Sequence, residues 1–313
     1  MSAVVVFIIF AICLIIAIPI SISLGIVAVL PGAFDASFTA SAGYVIRSMV
    51  GGIDSFPLLA VPMFVLAGIL MAHGKISEKL FDVFVYFLGN KRAGIPCAVI
   101  ITCLFYGAIS GSAPATVAAV GSMTIPLLIE LGYEKDFSTA IVAVAGGLGV
   151  IIPPSIPFIM YAMATGESVS DLFLAGIVPG MMISALLIFY AYYYCRRHGE
   201  DREKIQAKMD QLKTKGFVNI LKESIWALLS PVIVLGCIYS GVASPTEAAV
   251  ISVFYSLFVS LFIYKSIKVK QIWGIMVEAM KTYAPILFIL ATSTAFSRVL
   301  TLMQVPQDVS AWI

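Results

Sequence analysis

Long apolar stretches dominate the chain, and only a few polar segments separate them. A helix needs about 20 residues to cross a bilayer core of about 30 Å, and residues 171–195 and 283–303 reach that length without interruption. Pro19 and Pro245 interrupt two longer stretches, so each is predicted to form a helix, a turn and a second helix. The other apolar stretches run over 2–30, 56–73, 97–131, 137–165 and 224–264.

The stretch 97–131 carries a break in its middle, from Gly107 to Thr116. Of residues 107–124, 14 are Gly, Ala, Ser, Thr or Pro. The arms on either side, 97–109 and 117–131, would each be only about 20 Å long at 1.5 Å per residue. Arms of that length are typical of a re-entrant helical hairpin, which enters and leaves the membrane on one side.

The stretch 137–165 is broken over Gly146–Ser155, which contains Pro153 and Pro154. A proline disfavours helical geometry in the residue before it, so the first half-helix is predicted to end at about Ile152. Ser155 is placed to cap the second half-helix. With arms of about 13–16 Å, this stretch is predicted to be one spanning helix that is unwound at mid-membrane.

The composition identifies the solvent of this chain as lipid. Charged residues make up 12% and apolar residues 61% of the sequence, whereas a soluble domain carries about a quarter charged residues. A net charge of +2 excludes a nucleic-acid-binding protein, because no basic stripe could neutralise a phosphate backbone. The fold class predicted is an all-α polytopic membrane protein.

The basic segments predict the orientation. Residues 196–216 hold seven Lys or Arg and four Asp or Glu, and the positive-inside rule places such a loop in the cytoplasm. The basic clusters at Asn90–Arg92 and Lys265–Lys270 fall on the same side if the two helices between 224 and 264 run out and back. Counting the membrane crossings back from these cytoplasmic segments places the N-terminus in the periplasm.

Prolines at equivalent positions indicate an inverted repeat. Pro19 and Pro245 lie 226 residues apart, and Pro57 and Pro285 lie 228 apart. The first unit has an odd number of crossings, so the second is inverted, which is typical of transporters with mid-membrane sites. The predicted organisation is a first repeat over 1–195 (scaffold helices 1–95, transport-domain hairpin and broken helix 97–165, helix 171–195), a cytoplasmic linker over 196–223, and the start of a second repeat over 224–313. By symmetry, roughly 110 further residues would complete that repeat.

The two breaks offer polar groups for a binding site. Lipid cannot satisfy the backbone groups that a break frees. A half-helix starting near Thr116 directs its amides and positive dipole end into the gap, which suits a carboxylate. The half-helix ending near Ser110 presents carbonyls, which suit Na⁺. The residues alone also permit tight helix packing at the first break and a simple proline kink at the second. We predict that substrate is bound by the hydroxyls of Ser110, Ser112, Thr116 and Ser155.

The sequence contains no recognisable arrangement of catalytic residues. His73 and His198 lie at the ends of apolar stretches, away from the serine-rich break, so no Ser-His-Asp arrangement is available. The five cysteines form no CxxC pair, and no Walker motif is present. We therefore predict that the chain is not an enzyme, has no organic cofactor, and takes its energy from an ion gradient or another subunit.

Four motifs in order make the chain similar to a known family. It resembles the large membrane (M) subunit of tripartite ATP-independent periplasmic (TRAP) transporters over essentially all of its 313 residues. The motifs are Ser110–Thr116 (SGSAPAT), Gly149–Ser155 (GVIIPPS), Phe56–Phe64 (FPLLAVPMF) and Ser244–Ala249 (SPTEAA). The family's second hairpin and second Pro-Pro break do not occur in this sequence, so half of the substrate site and a second sodium site fall outside it.

The resemblance implies an elevator-type importer in the bacterial inner membrane. Its cargo would be an organic acid, such as a sialic acid or a C4-dicarboxylate, moved with co-transported Na⁺. Its partners would be a small four-helix (Q-type) membrane subunit and a periplasmic substrate-binding protein. Carried over by motif, the sodium ligands would come from Ser110, Ser112, Gly149, Val150, Pro153 and Pro154.

Three other functions stay open at this point. A Na⁺/anion elevator symporter that works without a binding protein would show uptake without that protein. A passive channel would show continuous ion current. A membrane-embedded enzyme is the weakest alternative, because catalytic groups are lacking.

Overall fold

The structure is a computed structural model that describes residues 2–35, 38–214 and 216–312, and these residues form helices and no strand. The helices before the first break are α1 Ala3–Ile15, α2 Ile20–Phe34, α3 Ala42–Ile53, α4 Ala60–His73 (after a 3₁₀ turn, Phe56–Leu59) and α5 Ile76–Leu88. The two interrupted stretches form α6 Gly94–Ser110, α7 Ala113–Glu130, α8 Lys135–Gly146 and α9 Ile156–Thr165. The remaining helices are α10 Val169–His198, α11 Arg202–Thr214, α12 Phe217–Tyr239, α13 Pro245–Phe258, α14 Val269–Leu302 and α15 Val305–Trp312.

Several of these helices are long and apolar enough to cross a membrane. In the described ranges there are six such spans. They confirm the prediction of an all-α polytopic membrane protein, because each meets the length that a bilayer core requires. The spans are Phe56–His73, Ala113–Glu130, Val169–His198, Phe217–Tyr239, Pro245–Ile263 and Val269–Leu302.

The helix pairs predicted from Pro19 and Pro245 are confirmed. Pro19 directly precedes α2, and Pro245 is the first residue of α13, where its missing N–H costs no hydrogen bond. The turn before α13 carries a capping box in which the Glu247 carboxylate accepts from the Ser244 N–H at 2.7 Å. Local chemistry therefore fixes where this helix begins.

The chain divides into two compact units. One comprises the described residues up to Leu58 together with those from Met280 onwards, and the other is Leu59–Ala279. The first unit contains α1 to α3, most of α14, and α15. Its apolar core is centred on Val27, Ala28, Val45, Ala295 and Val299.

The second unit contains the hairpin, the broken helix and the linker. Its core is formed by buried side chains of α5, α6 and α8, among them Leu80, Ile100 and Val142. α5 packs against α6 and α12. This unit therefore positions every residue of the predicted site.

Three local predictions need correction. α7 begins at Ala113 and not near Thr116, so only Gly111 and Ser112 separate the hairpin legs, which are about 26 Å long. The first half of the broken helix ends as α-helix at Gly146 and continues as a 3₁₀ turn, rather than reaching Ile152. Within the linker, Arg202–Thr214 is a helix. The predicted repeat boundaries stay predictions.

Candidate functional site

The hairpin turns within two residues at its tip. Gly111 ends α6 with φ +62°, a left-handed conformation that favours glycine. Ser112 caps α7, and its Oγ accepts a hydrogen bond from Ala115 N at 3.5 Å. At the tip, one helix therefore ends and the next begins within two residues. This tight turn brings the side chains of Ser110 and Thr116 close together.

A cluster of hydroxyls lies inside this tip. Ser110 Oγ and Thr116 Oγ1 are 3.0 Å apart, and Thr116 Oγ1 donates to the carbonyl of Ser112 at 2.8 Å. Both side chains are almost completely buried, with exposed fractions of 1% and 0%. Buried hydroxyls require partners, and here the partners are one another and the backbone of the tip.

The broken helix supplies the opposite face of the site. After the 3₁₀ turn Gly147–Val150, the chain passes through Pro153 and Pro154, which are joined by a cis peptide bond. The predicted cap at Ser155 is confirmed, because its Oγ accepts from Phe158 N at 3.4 Å. The same hydroxyl donates to the carbonyl of Val150 at 2.6 Å. Ser155 thus holds together the two sides of the break.

The hairpin tip and the broken helix are in direct contact. The carbonyl of Gly111 accepts a hydrogen bond from Ile156 N at 3.2 Å, so the tip caps α9. A Cβ on Gly107 would lie 2.6 Å from the Gly149 Cα, and one on Gly149 would lie 2.5 Å from Thr116 Oγ1. Real Cβ atoms do not come so close, and only glycine permits this approach. The structure thus brings together the two breaks, including all the predicted site residues.

The hydrogen bonds also assign the hydroxyl protons. Thr116 donates to Ser112 O and Ser155 to Val150 O, while Ser110 can donate to Thr116 Oγ1 at 3.0 Å or to Ser112 O at 3.4 Å. A hydroxyl oxygen has two lone pairs, so each of these oxygens can still accept a further hydrogen bond or bind a cation. The cluster therefore offers oxygen ligands rather than free hydroxyl donors.

Most backbone donors at the two helix starts are also in use. In α9, the N–H of Ile156 bonds to Gly111 and that of Ile159 bonds to the Ser155 carbonyl, while Pro157 has none. In α7, Pro114 occupies the second position and has no N–H either. A carboxylate needs such donors, so in this arrangement the meeting point of the two breaks is better suited to a cation.

The ligands that the two breaks offer, Ser110, Thr116 and Ser155 with the backbone around them, are uncharged. Among the residues that the structure describes, no group of three or more His, Cys, Asp or Glu could hold a metal ion. The oxygens available are those of hydroxyls and backbone carbonyls. Such ligands suit a weakly bound hard cation better than a permanently held transition metal.

Sequence reasoning missed a cleft beside the hairpin. It has a volume of about 290 Å³ and is lined by residues of α4, α5, α6 and α7, including Ser122, and by Glu278 of α14. His73 Nε2 lies 2.9 Å from a carboxylate oxygen of Glu278 in its wall, and Tyr106 OH donates to the Gly68 carbonyl at 2.8 Å. The partners are up to 205 residues apart in the chain, so no local pattern could have joined them.

The base of the hairpin is fastened by one carboxylate outside the membrane spans. Glu200 Oε1 accepts from Ala93 N, before the first leg, at 3.0 Å and from Tyr133 OH, after the second leg, at 2.7 Å. Its Oε2 lies 3.0 Å from Arg202 Nη2, and its side chain is 2% exposed. Burial, followed by the hydrogen bond to Glu200, raises the pKa of Tyr133 above its usual range. Both legs are thus bound to the start of the linker.

Comparison with known proteins agrees with this architecture. Residues 7–313 match the family model described as "Tripartite ATP-independent periplasmic transporter, DctM component". The isethionate TRAP transporter permease protein DctMQ of Oleidesulfovibrio alaskensis is 40% identical over 301 residues, which are 96% of this chain and 46% of that protein. The C4-dicarboxylate TRAP transporter large permease protein DctM of Pseudomonas aeruginosa is 38% identical over 260 residues, 83% of this chain and 60% of that protein.

A third relative is covered more fully. The C4-dicarboxylate TRAP transporter large permease protein DctM of Rhodobacter capsulatus is 32% identical over 327 aligned residues, 100% of this chain and 72% of that protein. The chain thus spans about half of the first of these relatives and 60% of the second. All three are named as permeases, which confirms the prediction that this chain is not an enzyme. The chain belongs to the DctM family, the large permease component of tripartite ATP-independent periplasmic (TRAP) transporters.

Proposed function

We propose that this chain forms the sodium-binding half of a Na⁺-coupled importer of organic acids. The observation that supports this most directly is the contact between the hairpin tip and the broken helix. There the oxygens of Ser110, Thr116 and Ser155 keep free lone pairs while their protons are bound within the protein. Oxygen ligands of this kind suit Na⁺, and helix breaks at mid-membrane are where transporters bind their ions.

The organic acid needs donors that this half of the site lacks. The amides at the start of α9 are bonded within the protein, so in this proposal the second half of the permease supplies most contacts to the acid. Relatives are named for isethionate, C4-dicarboxylates and 2,3-diketo-L-gulonate, and these acids share only an anionic group and a small size. A sialic acid belongs to the same chemical class.

The proposed assembly is tripartite and moves as an elevator. A periplasmic binding protein delivers the acid, and a small four-helix subunit holds the scaffold in the membrane. Members of the family are multi-pass inner-membrane proteins, and the N-terminus is proposed to be periplasmic. Two hydrogen bonds support the proposal that the basic segments lie on one side of the membrane. Arg202 in the linker donates to the carbonyl of Asn90 at 3.3 Å, and Tyr264 donates to the carbonyl of Glu223. The hairpin and broken helix would carry ion and acid across together.

Uptake by the reconstituted full-length complex tests the proposal. Proteoliposomes that receive binding protein loaded with radiolabelled succinate or isethionate should accumulate label only under an inward Na⁺ gradient. The double variant Ser110→Ala with Ser155→Ala should raise the Na⁺ concentration for half-maximal uptake about tenfold, since two oxygen ligands are lost.

Ser184→Ala is the matched control. Ser184 is also a buried serine in a membrane helix, but its hydroxyl bonds back to the Met181 carbonyl in α10. This variant should keep the wild-type dependence on Na⁺. The proposal would be contradicted by uptake that does not depend on the Na⁺ gradient. It would also be contradicted if the double variant required the same Na⁺ concentration as the wild type. Uptake without binding protein would favour the simpler symporter, and continuous current would favour a channel.

A further inference from the structure

A groove of about 520 Å³ lies between the first hairpin leg and α10, at the end where α6 begins. Leu88 is among its lining residues, all of which belong to the second compact unit. Nothing in the proposed transport cycle uses this groove. Its walls are mainly apolar and are formed by Cys97, Ile101, Ala185, Ile188 and Phe189.

The shape of the groove follows from helical spacing. Ala185, Ile188, Phe189 and Tyr192 are spaced by three, one and three residues, so they share one face of α10. They extend for about 10 Å along the helix. On the opposite wall, Cys97 and Ile101 are four residues apart and also share a face. The result is an apolar slot between the two helices that is long enough for part of an acyl chain.

The mouth of the slot is basic. Lys91 and Arg92 line it, both are exposed, and neither forms an ion pair within 4.0 Å in the part of the chain that the structure describes. Tyr192 also lines the groove and is exposed, and Arg196 follows one turn later on the same helix face. Exposed tyrosine beside Lys and Arg marks a membrane–water interface, so the mouth lies at headgroup depth.

We propose that this groove binds one anionic glycerophospholipid. An acyl chain lies against the apolar slot between α6 and α10, and the phosphate is bound by Lys91 and Arg92 through charge-assisted hydrogen bonds. Basic pockets between membrane helices on the cytoplasmic side are suited to anionic headgroups. The positive-inside rule assigns these residues to that side, where the anionic lipids are found.

The two basic side chains determine the expected selectivity. Phosphatidylglycerol has a net negative headgroup, whereas the choline of phosphatidylcholine would meet two like charges. Two favourable contacts correspond to a preference of about 10- to 30-fold for the anionic lipid. Inorganic phosphate has the charge but no chain for the slot, so it should bind poorly.

The test measures lipid retention by the full-length protein in detergent, with any partner subunits that copurify. Native mass spectrometry with phosphatidylglycerol, phosphatidylcholine or inorganic phosphate should show one phosphatidylglycerol retained preferentially. The variant Lys91→Gln with Arg92→Gln should lower that retention about tenfold. Ala185→Trp, which fills the apolar slot, should abolish it while both basic residues remain.

A control removes two charges elsewhere. Lys213 and Lys222 are exposed residues of the linker that do not line the groove, and Lys213→Gln with Lys222→Gln should retain phosphatidylglycerol like the wild type. Equal retention of both lipids, or full retention by the Lys91/Arg92 variant, would overturn the proposal. So would cross-linking of Cys97 to a helix of a partner subunit, because a protein and not a lipid would then occupy the groove.

Discussion

Removing the Glu200 carboxylate should detach the linker from both legs of the hairpin. In Glu200→Ala the buried Ala93 N–H and the Tyr133 hydroxyl lose their shared acceptor, and an unsatisfied buried group costs about 1–3 kcal/mol. Arg202 is half exposed, so its ion pair contributes at most about 1 kcal/mol. We expect a loss of about 3 kcal/mol in the free energy of unfolding.

The amide variant separates hydrogen bonding from charge. In Glu200→Gln the side-chain oxygen can still accept from Ala93 and Tyr133, and only the interaction with Arg202 is lost. The expected cost is therefore about 1 kcal/mol. For a unit of this size, each kcal/mol lowers the midpoint of thermal unfolding by about 2–4 °C.

Thermal unfolding of the detergent-solubilised protein, followed by tryptophan fluorescence, measures these shifts. Glu200→Ala should unfold about 6–12 °C below the wild type and Glu200→Gln about 2–4 °C below it. Glu203→Ala is the control, because Glu203 is exposed in the same linker and surface changes usually stay within about 0.5 kcal/mol. If Glu200→Gln were as harmful as Glu200→Ala, charge and not hydrogen bonding would fasten the hairpin, and the reasoning would be refuted.

Two further predictions concern the tip and the pH dependence. Gly149→Ala should abolish uptake, because its Cβ would lie 2.5 Å from Thr116 Oγ1. Gly147→Ala, which has open space around its Cβ, should transport normally. Equal uptake by the two variants would refute the close packing. The pKa of Tyr133 is raised in the folded protein. The contribution of Tyr133 to the free energy of unfolding is therefore complete below the unfolded-state pKa of about 10 and is lost as the pH rises further. Tyr133→Phe should therefore weaken the fall of the unfolding midpoint above about pH 10, and parallel curves would count against the assignment.

The sequence was informative wherever structure depends on neighbouring residues. Both helix breaks and the caps at Ser155 and Ser244 were predictable, because Gly, Pro and Ser act on the backbone within a few positions. The linker helix also left a signal that was missed. Ile205, Met209 and Leu212 recur at helical spacing, and all three are buried.

Contacts between distant segments were out of reach. The bond from Ala93 to Glu200 spans 107 residues, and it depends on how far α10 extends before the linker turns back. The fit of Gly107 against Gly149 depends on the relative depth of two helices. The pattern of residues in one sequence indicates which face of a helix is buried and where the helix ends. It does not indicate the depth at which two helices meet, so the hydroxyl protons of the site could be assigned only from the structure.

The ligands at the hairpin tip have a consequence for the choice of driving ion. Alcohol and amide oxygens do not change protonation between about pH 5 and 8, so a proton that reaches Ser110 or Thr116 finds no base to hold it. In the proposed mechanism the importer would therefore distinguish Na⁺ from H⁺ by hydration and ionic radius rather than by acidity. A bacterium in an acidified medium would retain sodium-driven uptake, with no competition from protons at this site.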